Sequence, residues 1–207
     1  FLLWIGWFGF NCGSAGAFND IAILAGINTF IASCASTVVW IVIQYLHVGR
    51  VNVTGLCAGV LAGLVGITPG CGYVDPWASV IIGAVAAAVC YFGIIFMRSR
   101  SGIDDALDVM GVHGFGGIWG AISVGIFAVT TYGSTEYGGL IEGSLNLLGG
   151  QVASVIITLV YCFVVSFVIM KVIDLVMKRF GKGAALTESE QMVGADTVEH
   201  GEPSYVM

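Results

Sequence analysis

Charge is scarce in this sequence. Asp, Glu, Lys and Arg make up 10% of the 207 residues, against about 25% in an ordinary soluble domain. Too few polar residues exist to cover a water-facing surface, which excludes a soluble globular fold. No basic patch is present, which excludes a nucleic-acid partner. Six cysteines (Cys12, Cys34, Cys57, Cys71, Cys90 and Cys162) are scattered through apolar runs. None forms a CxxC pair or a His-linked cluster, so no metal site is expected. Their expected role is that of small buried hydrophobes. No nucleophile–base pair and no cofactor loop occurs, so neither enzymatic activity nor a cofactor is expected. No internal repeat or low-complexity stretch is visible. The chain opens on Phe1, already inside an apolar run, with no basic region and no cleavage site. That start is not a signal peptide, and further residues are expected upstream.

What is abundant is apolar length. Hydrophobic residues make up 57% of the chain, and runs of roughly 20 apolar residues read as membrane spans. Six segments stand out, at 1–15, 21–46, 52–69, 77–97, 106–131 and 148–178. The expectation is an all-α integral membrane protein with a helical domain over 1–180. Residues 181–207 are polar and acidic and read as a soluble tail. The sixth segment is long: about 30 residues give roughly 45 Å, more than an apolar core of about 30 Å requires. It must tilt or project beyond the bilayer.

Loop charge sets an orientation. The loop after the second segment holds His47 and Arg50, and the loop after the fourth holds Arg98 and Arg100. The sixth segment ends in Lys178, Arg179 and Lys182. The loops after the first, third and fifth carry Asp20, Asp75, Glu136 and Glu142, with no Lys or Arg. This alternation predicts a cytosolic C-terminus and a first segment entering from inside. Asn52-Val53-Thr54 matches a glycosylation sequon, but the orientation puts it in the cytosol, where no glycan forms. Gly55, Gly59 and Gly63 recur every four residues, and Gly114, Gly116, Gly117 and Gly120 crowd the fifth segment. In lipid, such small residues let helices approach closely.

Few residues are suited to chemistry. Counted from Asp105, His113 lies eight residues into the fifth segment, about 12 Å deep. An imidazole there needs either a polar partner on a neighbouring helix or a pore, and intramembrane ionisable groups are functional by default. Asp104, Asp105 and Asp108 precede it, and acidic groups at a helix start offset the macrodipole and cap free N–H groups. Asp104 reads as such a cap, and Asp105 and Asp108 as residues lying further in, tying helix ends or loops together. Near the outer end of the first segment, Trp7, Phe8 and Phe10 flank small residues, with Asn11 and Ser14 supplying polar atoms. These rings are either a cation-attracting mouth or an interfacial aromatic belt.

Four separated strings, in order, resemble the Amt/Mep/Rh ammonium transporter family, and specifically its Amt branch. They are GWFGFNCGSAGAFND at 6–20, AGLVGITPGCGYVDP at 62–76, DDALDVMGVHGFGGIWG at 104–120 and GADTVEHGEPSY at 194–205. The resemblance implies an eleven-helix fold of two inverted five-helix repeats, with this chain as the second repeat plus a wrapping eleventh helix. It implies that His113 is one of two pore histidines and Phe10 one of two gating phenyl rings. It implies that Ser14 holds ammonium outside the gate, and that Trp7 and Val109 line an apolar pore. Asp105 and Asp108 fall on structural acidic positions. The tail, with Gly194, Asp196, His200, Gly201, Glu202 and Tyr205, would couple subunits of a homotrimer in the cell membrane (plasma or inner) and face a PII-type regulatory protein. The partner histidine, phenylalanine, tryptophan and recruiting aspartate belong to the family's first repeat and are absent from this sequence.

The implied substrate is ammonium, which aromatic faces bind as they bind potassium. Ser14 can accept a hydrogen bond that only ammonium can donate. An apolar lumen makes carrying the intact ion costly, so the ion is expected to shed its proton and pass as ammonia along the histidines. Imidazole can relay protons, which favours electrogenic transport. Two rival readings share the fold: an ammonium sensor, weakened by the lack of an output domain after Gly181, and an Rh-like ammonia or carbon dioxide channel. The FNCGS string and the HGEPSY tail favour the Amt branch over the latter.

Overall fold

A computed structural model describes residues 1–132, 136–181 and 183–203. Among them the chain is helical, with one isolated antiparallel bridge, Val74 to Ala128. Six apolar helices appear: α1 (Leu2–Gly13), α2 (Asp20–Val48), α3 (Val53–Ile67), α4 (Pro76–Phe96), α5 (Phe115–Phe127) and α6 (Asn146–Arg179). A π-helical turn, Met97–Ser101, extends α4, and another, Met110–Gly114, leads into α5. With these extensions, α2, α4, α5 and α6 are long and apolar enough to cross a membrane; α1 and α3 are shorter.

The chain divides into two compact units, 1–155 and 156–207, with the division inside α6. The change of polarity near residue 180 therefore does not coincide with the change in packing. In the second unit, α6 runs on to Arg179, and two short helices follow, α7 (Glu188–Val193) and α8 (Ala195–His200). A capping box starts α7: the Thr187 hydroxyl accepts from Glu190 N, and the Glu190 carboxylate accepts from Thr187 N.

In the first unit, α2, α3 and α4 pack face to face through small residues. A side chain at Gly59 would meet Trp40 Cβ at 2.7 Å, and one at Gly63 would meet Ser33 Cα at 2.7 Å. Gly83 of α4 presses on the Ala32 backbone. These glycines bring three backbones together where no larger residue fits, as close packing in lipid requires. Buried polar groups pair across the contacts: Ser36 Oγ donates to Gly59 O at 2.7 Å, and Asn28 Nδ2 donates to both Cys71 O and Val74 O at 2.8 Å. Each such bond satisfies a backbone carbonyl that water cannot reach. Asn52 caps α3, its Oδ1 accepting from Gly55 N at 2.6 Å. The sequon residue is thus built into a helix start. Of the cysteines, only Cys71 and Cys90 are buried; Cys34, Cys57 and Cys162 are exposed on helix surfaces, contrary to the expectation of burial.

The turns of this unit gather at two ends. At one end Val129 N donates to Tyr73 O at 2.9 Å, and Tyr132 Oη donates to Asp75 Oδ1 at 2.8 Å. The Asp75 carboxylate holds the Tyr132 phenol above its ordinary pKa. Asp20, Ile21 and Tyr132 border one shallow hollow there. At the other end Gln44, Asn52, Thr54, Arg98 and Asp108 line one cavity. The loops with Asp20, Asp75 and Glu142 therefore share one end, and the Arg98-bearing turn shares the other with Asp108.

The fifth helix starts later than the apolar pattern indicates. The expected segment began at 106, but regular helix begins only after Asp108, whose φ is +55°. Asp105 accepts from Val109 N at 2.8 Å and from Gly111 N at 3.1 Å, capping the helix from outside it. Asp105 and Asp108 thus lie before the helix, not within it. His113 consequently sits in the first turns, about 6 Å along the axis from Val109. The same segment ends early, at Phe127, because Ala128 turns extended to meet Val74.

Candidate functional site

Three rings stand in a row on one open face of the first unit. Trp7 and Phe10, one turn apart on α1, have centroids 6.2 Å apart at 56°. His113, from the π-helical turn before α5, lies 6.1 Å from Trp7 at 52°. Both spacings fall within the range where tilted rings attract. Ser14 lies one further turn along α1, and Val109 one turn before His113. From Val109 through His113, Trp7 and Phe10 to Ser14, five residues form a single column. His113 and Ser14 are exposed, and Phe10 and Val109 are 62% and 52% exposed. Among the described residues of this unit these four stay uncovered.

Local chemistry explains the column. Residues 7, 10 and 14 of a helix fall within about 60° of one another at 3.6 residues per turn. Asn11 lies about 100° round from Phe10 and turns inward. It is 3% exposed, and its Nδ2 donates to Thr29 Oγ1 at 2.8 Å. Asn11 therefore ties α1 to α2 and does not share the mouth with Ser14, contrary to the sequence reading. The Ser14 hydroxyl donates to Phe10 O at 2.7 Å. Its proton is committed, and its oxygen faces outward as an acceptor.

The wide turn carrying His113 is held from three sides. Widened turns of this kind recur at functional sites. Gly111 lies against Ile94, where a side chain would clash with its backbone. The Cys90 thiol donates to Val112 O at 3.4 Å. The preceding loop is pinned by Arg98, whose Nε and Nη2 donate to the two Asp108 oxygens at 2.8 and 2.6 Å. A left-handed backbone at a non-glycine residue costs of order 1–3 kcal/mol, and the two-pronged pair holds it in place. Asp105 and Asp108 serve the backbone and Arg98, and neither carboxylate joins the ring column.

One participant was not singled out from the sequence. Trp7 Nε1 donates to Thr68 Oγ1 at 2.7 Å. Thr68 sits at the end of α3 in an apolar run and looks like filler there. Only the spatial contact reveals it.

In the tail, Gly194 joins α7 to α8 with φ +105°, and Gly201 ends α8 with φ +74°. Both need a conformation that glycine adopts freely. Asp196 lies in the first turn of α8 and His200 in the last. Glu202 follows α8 and is exposed. Tyr205 and Lys182 lie outside the described residues.

The sequence profile of the Ammonium Transporter Family matches residues 1–205. The chain belongs to the ammonium transporter family. Its members are transporters, not enzymes. The chain is 41% identical to the ammonium transporter of Bacillus subtilis over 99% of its own length and 49% of that protein. It is 39% identical to the Amt1 ammonium transporter of Archaeoglobus fulgidus, over 99% of this chain and 50% of that one. The crystal structure of Candida albicans Mep2 superposes with a TM-score of 0.83 at 35% identity, covering 91% of this chain and 42% of that one. A solved sensor Amt protein superposes with a TM-score of 0.80 at 30% identity, covering 95% and 46%. The chain spans about half the length of the curated relatives it matches. The all-α membrane fold read from the sequence agrees with these structures.

Proposed function

We propose that this chain supplies one wall of an ammonium-conducting pore. The observation that supports it most is the open column Val109–His113–Trp7–Phe10–Ser14. It is ring-lined, and its one imidazole meets an aromatic face. Exposed rings alone could face lipid, but an imidazole among them cannot do so cheaply, and a row holding one calls for a facing wall. The relatives carry a further half that this chain does not match, and in the family's inverted-repeat architecture it would face this one.

Ammonium would be received at Ser14, whose outward oxygen accepts a hydrogen bond that potassium cannot donate. The faces of Phe10 and Trp7 attract the cation. Beyond Phe10 the wall is apolar, and an intact ion there loses its hydration without replacement. The ion would release its proton at that point, and ammonia would continue past His113 to Val109. The imidazole offers a nitrogen to hydrogen-bond the neutral molecule and can relay a proton. The confinement of Lys and Arg to alternate loops supports an orientation with the His- and Arg-bearing loops and the C-terminus in the cytosol of a cell membrane. We read the assembly as a homotrimer, with the tail segment Gly194–Glu202 facing a neighbouring subunit or a PII-type protein.

The test is ammonium flux in proteoliposomes, using a transport-competent protein that carries this chain. His113→Ala is expected to abolish selective conduction, and unchanged flux with unchanged discrimination against potassium would refute the pore role. The likeness to a sensor Amt protein supports a second reading, in which ammonium is reported through the tail. Wild-type protein that binds ammonium without conducting it would favour that reading.

A further inference from the structure

Besides the imidazole of His113, one ring of the column has a polar edge, and that edge is bonded to a neighbouring helix end. Trp7 is half-buried, and its indole N–H points away from the column to Thr68 Oγ1, at 2.7 Å. The Thr68 hydroxyl in turn donates to Leu64 O, also at 2.7 Å. With its proton committed to Leu64, the Thr68 oxygen can act toward Trp7 only as an acceptor. Thr68 holds this position because, as the residue capping α3, it keeps helical backbone, φ −50° and ψ −48°, so its hydroxyl still reaches the carbonyl four residues back. Both polar hydrogens are consumed, and what Trp7 presents between Phe10 and His113 is ring.

We propose that Thr68 is a positioning residue for conduction. It fixes the Trp7 ring so that the N–H stays out of the passage. The proposal rests on the pore reading above and extends it to a residue that never touches the substrate. A released indole N–H would be a donor in an apolar wall, beside an imidazole 6.1 Å away. It would bond to a ring nitrogen of His113, or to the lone pair of ammonia in transit. Either outcome slows passage and blurs the distinction that an apolar wall makes between ammonia and ions.

The experiment compares Thr68→Val with Thr68→Ser in a transport-competent protein carrying this chain. Valine keeps the shape and removes the acceptor; serine keeps the hydroxyl. Flux in proteoliposomes is read together with the ¹⁵N–¹H signal of the Trp7 indole, assigned by its loss in Trp7→Phe. Thr68→Val is expected to move the indole signal and to cut ammonium flux roughly tenfold, the scale of one buried donor left unpaired. Thr68→Ser is expected to leave both near the parent values. Should valine prevent assembly, Thr68→Ala provides the second variant without a hydroxyl. Parental flux in Thr68→Val despite a moved signal overturns the inference, and so does an unmoved signal. A defective His113→Ala beside a normal Thr68→Val would remove only this inference, whereas normal flux in both would remove the pore reading itself.

Discussion

Two faces of the first unit solve opposite problems. The α2–α3–α4 face is built from Gly59, Gly63, Gly83, Ala32 and Ser36, and it closes on itself with backbones in contact. The α1–α5 face carries Trp7, Phe10, Val109 and His113, and it stays open. Small residues make a contact that needs nothing further, and large rings make a surface that needs another wall. Even the polar atoms follow this division. On the closed face the Ser36 hydroxyl pairs across to α3, whereas Trp7 and Asn11 turn their N–H groups inward, away from the open face. On the reading proposed above, function in this chain belongs to the face its own packing leaves unfinished.

The comparison can be broken most severely at Gly83. Its Cβ direction runs into the Ala32 backbone, so Gly83→Leu has no rotamer that fits. It is expected to prevent folding, read as loss of monodisperse protein in detergent, and normal yield would contradict the packing account. On the open face the opposite is expected. Phe10→Ala should leave yield and thermal stability near the parent while impairing ammonium flux severalfold or more, because the ring contacts little of its own chain. Normal flux in that variant would count against a gate. An intermediate effect is expected between the faces. Asp105→Ala removes the cap on Val109 N and Gly111 N and should cost about 1 kcal/mol, within the range for lost helix caps. It should also loosen the turn bearing His113, visible as faster amide exchange at residues 109–113. The smallest effect belongs to Tyr132→Phe at neutral pH, because the phenol and Asp75 are only partly buried. Its sign with pH is fixed: with the phenol pKa raised in the fold, the bond contributes fully below the unfolded tyrosine value and is lost as pH rises through the higher folded value. A thermal scan from pH 8 to 11 should show the parent and Tyr132→Phe converging at the alkaline end.

Apolar run length located the helices well. α2, α4 and α6 begin and end within two residues of the segments read from hydrophobicity. The fifth segment misled because hydropathy does not see a side-chain cap or a left-handed Asp108. The string Asp104–Asp108 reads as a helix start, yet it is the loop that halts the helix until Val109. In the site, Trp7, Phe10 and Ser14 share a face by helical period alone, so that part was legible. That His113 would meet Trp7 was not, since it depends on how α1 packs beside the start of α5. Asn11 misled for the opposite reason: it borders the same stripe, but Thr29 on α2 draws it inward. Thr68 was invisible because a threonine in an apolar run differs little from valine until its hydroxyl has a partner.

The most direct measurement is an experimental map of the assembled transporter containing this chain, resolved well enough to place side chains. The account predicts a continuous narrow passage bordered in order by Ser14, Phe10, Trp7, His113 and Val109, with the Trp7 indole nitrogen bonded to Thr68. A map in which the His113 ring meets lipid or a sealed helix contact, with no passage beside it, would contradict the account.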